Sequence, residues 1–76
     1  MPQEIIAIAI FSPMAGRGEE CLALTRELIA YIHSQGYGRD LLLRDSKSPN
    51  TYMDIRWWAS EAVAKQAHAD PEIHKF

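Results

Sequence analysis

The sequence predicts an α+β domain with a three-stranded antiparallel sheet covered by helices. Three observations carry that prediction. Ile5 to Phe11 is an unbroken apolar run, the pattern of a strand covered on both faces. Between Glu19 and Gln35, Cys21, Leu24, Leu28 and Ile32 recur at helical spacing. Between Asp40 and Trp58, two strand-like runs flank Ser46-Lys47-Ser48-Pro49-Asn50, a stretch of strong turn chemistry, and so read as a hairpin.

The first strand spans Glu4 to Ser12. Ile6, Ile8 and Ile10 line one face, and Ile5, Ala7, Ala9 and Phe11 the other. The domain's own helices cover one of these faces, so a second sheet or a second subunit must cover the other. Pro13 to Gly18 is a turn region with Pro and two Gly as breakers. It lacks the Lys-Ser/Thr of a P-loop and the spacing of a dinucleotide fingerprint, so it reads as a plain turn.

The helix from Glu19 to Gln35 places Glu19 and Glu20 in its first turn, where negative charge suits the positive end of the dipole. Gly36 is its natural stop. Cys21 falls on the apolar stripe and reads as a small core residue, and His33 reads as a solvent-boundary residue.

The second strand spans Asp40 to Asp45 and the third Thr51 to Trp58. Opposing Arg44 with Tyr52 sets Leu42 against Asp54 and Asp40 against Arg56. This register puts Leu41 and Leu43 on one face with Met53, Ile55 and Trp57, and a one-residue slip would mix the faces. That apolar face is expected to meet the helices. Ser60 then caps a helix over Ala59 to Ala69, with Glu61 in its first turn. Asp70-Pro71 opens a further short helix.

The order strand, helix, strand, strand, helix is a ferredoxin-like βαββα without its usual fourth strand. The third strand is expected between the other two, antiparallel to both. The missing strand would pair with the free edge of the first.

Residues 1–76 read as one domain. A chain this short buries only roughly 60% of its unfolded surface. Cys21 is the single cysteine, so no disulfide framework supports it, and oligomerisation is the usual remedy. The net charge of −2 and the lack of a basic cluster argue against nucleic acid or an anionic membrane as partner. The longest apolar run falls well short of the ~20 residues of a membrane helix. The start MPQEII has an acid where a signal peptide would be basic, which points to a cytoplasmic protein.

These pieces together resemble the antibiotic-biosynthesis-monooxygenase-like group of the dimeric α+β barrel superfamily. The matching residues are the apolar strand ending in Phe11, Pro13 and Gly16, and the helix opening with Glu19 and Glu20. They continue with the strand between Gly36 and Asp45, the turn from Pro49 to Tyr52, Trp58-Ala59-Ser60-Glu61-Ala62, Asp70-Pro71 and Phe76. The resemblance covers nearly the whole chain and rests on order and spacing. It implies a homodimer formed by packing two open sheet faces into a barrel, and a pocket between sheet and helices. Some members oxidise phenolic polycyclic substrates with dioxygen and no metal or flavin, and others degrade haem. The histidines frequent in the family fall at Ala67 and Glu72 here, with His68 and His74 one and two residues later. The haem-degrading members use an asparagine in the first strand and a tryptophan in the second helix, and this chain has neither.

Oxygen chemistry without a cofactor makes the substrate supply the electrons. A phenol or enol loses a proton, and its anion gives an electron to oxygen. The protein supplies an apolar pocket, a base and a donor for the developing oxyanion. The expected base is His68 or His74, the donor Arg44 or Tyr52, and Trp58 an aromatic wall. No cofactor is expected, and no metal, because the histidines lack supporting Cys or acidic spacing. The expectation is a cofactor-independent, monooxygenase-like oxidoreductase acting on an aromatic or quinol-type substrate. The alternative is a non-catalytic dimeric module that binds a small apolar ligand.

Overall fold

The computed structural model describes residues 3–75. Phe76, the last piece of the resemblance, lies outside them. Strand β1 spans Ile5–Phe11, helix α1 Gly18–Ser34, strand β2 Gly38–Arg44, strand β3 Tyr52–Trp58 and helix α2 Glu61–His68. A single 3₁₀ turn, Ile73–Lys75, follows. The strands form one antiparallel sheet in the order β1-β3-β2. No helix among the described residues is long and apolar enough to cross a membrane.

The hairpin register is the one the sequence predicts: Arg44 opposes Tyr52, Leu42 opposes Asp54 and Asp40 opposes Arg56. Its turn is closed by Thr51 N–H donating to the Ser48 carbonyl at 2.8 Å and Lys47 N–H donating to Asp45 Oδ1 at 2.8 Å. β2 begins at Gly38, earlier than expected. The constraint there is steric, because a Cβ on Gly38 would sit 2.3 Å from the Trp57 carbonyl oxygen. Only glycine lets the two backbones come that close.

Helix α1 ends in a Schellman motif. Tyr37 N–H donates to the Ile32 carbonyl and Gly36 N–H to the His33 carbonyl, each at 3.0 Å. Gly36 sits at φ 71°, a left-handed conformation that glycine adopts without a Cβ penalty. The motif brings Tyr37 back onto Ile32, and both belong to the buried core. Ser60 Oγ caps α2 by accepting from Val63 N–H at 3.1 Å.

The two faces of the sheet are the reverse of the expected arrangement. Trp58 points to the helices, where it is buried with Ile32, Tyr37 and Ala67. By alternation Tyr52, Asp54 and Arg56 share that covered side, and Met53, Ile55 and Trp57 lie on the other. On the open side Trp57 carries the Arg39 guanidinium over its ring at 4.3 Å. Ile6, Ile8 and Ile10 of β1 and Leu41 and Leu43 of β2 join it there, between 42% and 67% exposed.

The cause lies in how little the helices bring. Helix α2 offers only Val63, Ala64 and Ala67, and these meet Trp58 at the end of β3, from which the chain turns directly into the cap at Ser60. On α1, Ile32 is buried and Leu28 partly so, while Leu24 is 44% exposed and Cys21 only half-buried. The expected apolar stripe therefore closes on the sheet at its C-terminal end alone.

Candidate functional site

The covered face of the sheet holds a charge cluster. Arg56 Nε donates to Asp40 Oδ2 at 2.7 Å, and its Nη2 donates to Asp54 Oδ2 at 3.0 Å. The Asp40 side chain is fully buried, and Asp54 and Arg56 are 9% and 18% exposed. The other carboxylate oxygens, Asp40 Oδ1 and Asp54 Oδ1, are buried without a donor. Two carboxylates against one guanidinium leave one negative charge uncompensated. A proton on Asp40 removes that charge and also supplies the missing hydrogen bond between the two carboxyls. Burial first, and then this bond to Asp54, push the Asp40 carboxyl up to about 7, against the pull of Arg56.

Asp40 also lines a cleft of about 370 Å³ between α1 and the β2–β3 hairpin. Helix α1 contributes Leu22, Arg26 and Ile29, and the strands contribute Leu42, Arg44 and Tyr52. Tyr52 is fixed by stacking on Phe11, its partner on β1, at 5.7 Å. The cleft thus combines an aliphatic wall, two guanidinium-bearing side chains and a phenol hydroxyl, with the buried Asp40 carboxyl behind them. Such a mixture suits a small ring with one acidic group. Asp54 pairs through Oδ2 with Arg56, and no ion pair joins it to Arg44.

The sequence-derived site residues separate into two groups. Arg44 and Tyr52 come together at one end of the hairpin. Trp58 lies at the far end of β3, roughly 20 Å away at ~3.3 Å per residue. His68 accompanies Trp58, ring edge to ring face, with centroids 5.4 Å apart. His74 is bound through Nε2 to the His68 carbonyl at 2.7 Å, and both histidines are exposed. Neither lines the cleft. Among the described residues, no group of three or more His, Cys, Asp or Glu is placed to hold a metal ion.

Two further features were not read from the sequence. Asp70 Oδ2 accepts from Tyr31 at 2.6 Å and Tyr37 at 2.8 Å, tying the end of α1 to the chain after α2. The Tyr31 hydrogen bond leads in holding the Asp70 carboxyl below its usual range, and the same bond pushes the Tyr31 hydroxyl up to about 12. On the other flank of α1, Pro13, Met14, Cys21, Leu24 and Leu28 line a second open groove, also about 370 Å³ and more apolar than the first. Cys21 is a wall of that groove and not the core residue expected of it. The Asp40–Arg56 pair was legible as a register, but nothing in the sequence marked that face as the covered one.

No family model matches the chain, and neither a curated protein nor a solved structure gives a significant match.

Proposed function

We propose that this chain is a homodimeric module of ferredoxin-like, monooxygenase-related type that binds a small aromatic or quinol-type ligand in the cleft between α1 and the hairpin. The observation that carries this reading is the cross-strand pair Arg44 and Tyr52 on the wall of that cleft, opposite Leu22 and Ile29. The aliphatic wall takes the ring, and the guanidinium and hydroxyl take its phenolic or acidic oxygen. Titration of 1-naphthol into ¹⁵N-labelled protein tests it. Shifts confined to the amides of Leu42, Arg44, Tyr52 and the facing turn of α1 are expected. Shifts confined to the Met14–Leu28 groove, or none at all, would sink it.

The dimer uses the open sheet face. Ile6, Ile8, Ile10, Leu41, Leu43, Met53, Ile55 and Trp57 form a continuous apolar layer whose one charged member is Arg39, paired with Glu4 at 3.5 Å. Monomers rarely expose such a layer. Each aliphatic side chain buried there gains roughly 1.5–3 kcal/mol, so several together exceed the cost of association. Two copies packed sheet on sheet about a two-fold axis are the simplest cover. Asp54, Arg56 and Arg44, which the sequence leads one to expect at the rim of such an interface or paired across it, lie on the Trp58 side of the sheet and take no part in it.

A catalytic reading, cofactor-independent oxidation of the bound phenol, is favoured by the Arg26 and Arg44 guanidinium groups on the cleft wall, which would stabilise a phenolate. The Asp40 carboxyl is fully buried behind that wall and held by Arg56, and His68 and His74 lie away from the cleft. In this reading the phenol loses its proton to solvent, a guanidinium holds the oxyanion, and the anion passes an electron to dioxygen. Oxygen uptake with a panel of hydroquinones and anthrones separates the two readings. Binding without uptake leaves the ligand module and removes the oxygenase.

A further inference from the structure

The two edges of the sheet are unlike each other. The outer edge of β2 carries Arg39 and Arg44, both exposed, and runs into Asp45 and Lys47. Charged side chains of this kind discourage a further strand from pairing. The outer edge of β1 has none of them. Across Ile5–Phe11 there is no charge and no proline, and the pairing with β3 runs without a bulge. Among the described residues no strand pairs with that edge. Ala7 and Ala9 are exposed on the helix side, so β1 is bare on its edge and on much of both faces.

The sequence of β1 is also nearly a palindrome. Read from either end, IIAIAIF gives the same alternation of large and small residues centred on Ile8. An antiparallel strand centred on Ile8 would set Ile8 against Ile8, Ile6 against Ile10, Ala7 against Ala9 and Ile5 against Phe11. Large residues meet large ones on the open face, and the small pair meets on the helix side. Because every opposed pair then lies on the same face, the two helical layers stay on one side of a joined sheet. Shifting the register by one residue would oppose Ala7 to Ile8 and turn one helical layer to the other side.

We infer that the free edge of β1 is a pairing site for β1 of a second copy, antiparallel and centred on Ile8, which makes one six-stranded sheet from two chains. This contact is separate from sheet-on-sheet packing. Together the two give a tetramer with twofold axes through both interfaces, and either can exist without the other.

Directly opposed residues of an antiparallel pair lie within disulfide reach, about 4.5–5.5 Å between Cα atoms. The test uses the full chain with Cys21→Ser, so that added cysteines react alone. Ala7→Cys and Ala9→Cys variants carrying different tags are co-expressed and oxidised. A disulfide between the two variants is expected in the mixture, and none in either variant alone, because like positions are offset along the strand. Sheet-on-sheet packing cannot produce this result, since both alanines face the helix side. The Ala7→Lys/Ala9→Lys double variant sets lysine against lysine at exposed positions and halves the assembled mass in light scattering. If the mixed disulfide fails to form, or the double-lysine variant keeps the wild-type mass, the proposal is overturned and the edge is left to some other strand, the fourth strand usual in this fold among them. Dissociation by Ile55→Asp on the open face reports on the sheet-on-sheet dimer separately, so the two interfaces can fail independently.

Discussion

Asp40 and Arg56 stand opposite each other on β2 and β3, joined at 2.7 Å, with the carboxylate wholly out of water. Arg56 also holds Asp54, so its single charge is shared between two acids. This ratio makes the cluster sensitive to pH.

The Asp40 carboxyl is raised from 3.8 to about 7 on folding. Between those values the folded chain binds the proton and the unfolded chain has released it. Its contribution to stability is therefore full below the unfolded value and is lost as pH rises through about 7. The denaturation midpoint should fall as pH is raised from about 4 to about 7, then level off. Asp40→Asn should flatten this slope, because its amide donates to Asp54 Oδ1 while its carbonyl accepts from Arg56. Above about pH 8 this variant should be more stable than wild type by about 1–3 kcal/mol. Urea titrations across the range check both statements.

Arg56→Met removes the only cation of the cluster and leaves two buried carboxylates. The expected cost at neutral pH is about 3–5 kcal/mol, the usual penalty for breaking a buried pair from one side. The cost should shrink near pH 5, where Asp40 carries its proton and only one charge stays unpaired. Equal destabilisation at both pH values would show that lost packing on Trp58, whose ring lies 5.2 Å from the guanidinium carbon, dominates instead.

The elements were legible because their signals are local. Gly36 after a periodic apolar run marks the end of α1, Ser60 before Glu61 marks the start of α2, and the five-residue turn with Pro49 fixes the hairpin register. Which face of the sheet the helices cover was not legible, because that depends on the apolar surface the helices bring. The more apolar face was the natural choice. It lost because Trp58 supplies the large aromatic surface that α2 meets, and because Arg56 pairs with both Asp40 and Asp54 and so lowers the cost of burying them on that side. The candidate site was half legible for the same reason. Arg44 and Tyr52 meet as the register requires, while a seven-residue strand keeps Trp58 and the histidines behind it at the far end.

Asp70 closes the opposite end of the molecule, and its titration has the reverse sign. Its carboxyl is lowered on folding, chiefly by the Tyr31 hydroxyl. Its contribution is present above the ordinary carboxyl value and is lost as pH falls through the lowered one. Asp70→Asn should weaken the fold at neutral pH and remove that part of the acid transition. It should also lower the Tyr31 hydroxyl from about 12, and the Tyr37 hydroxyl with it, because both are raised first by their bond to this carboxylate. A spectrophotometric titration of the tyrosines should then show the phenolates of Tyr31 and Tyr37 forming at lower pH in Asp70→Asn than in wild type. An unchanged tyrosine titration would mean that the Tyr31–Asp70 bond does not persist in solution.

Ile55 occupies the centre of the open sheet face, with Ile8 opposite it on β1 and Leu41 opposite it on β2. Ile55→Asp puts a charge into the middle of the apolar layer. In a monomer that layer faces water, and the substitution would cost little beyond a lost β-branched strand residue, under ~1 kcal/mol. In a sheet-on-sheet dimer the two-fold axis carries the charge into a dry interface, where an unpaired carboxylate is not tolerated. Sedimentation at micromolar concentration should show Ile55→Asp at half the wild-type mass or less, with the far-ultraviolet circular dichroism of a folded α+β chain. The Arg44–Tyr52 cleft lies under the helices, on the other side of the sheet, so 1-naphthol binding should survive in the dissociated protein. Wild-type mass in the Ile55→Asp protein would remove the sheet-on-sheet dimer. Loss of ligand binding together with dissociation would place the ligand at the interface and not in the cleft.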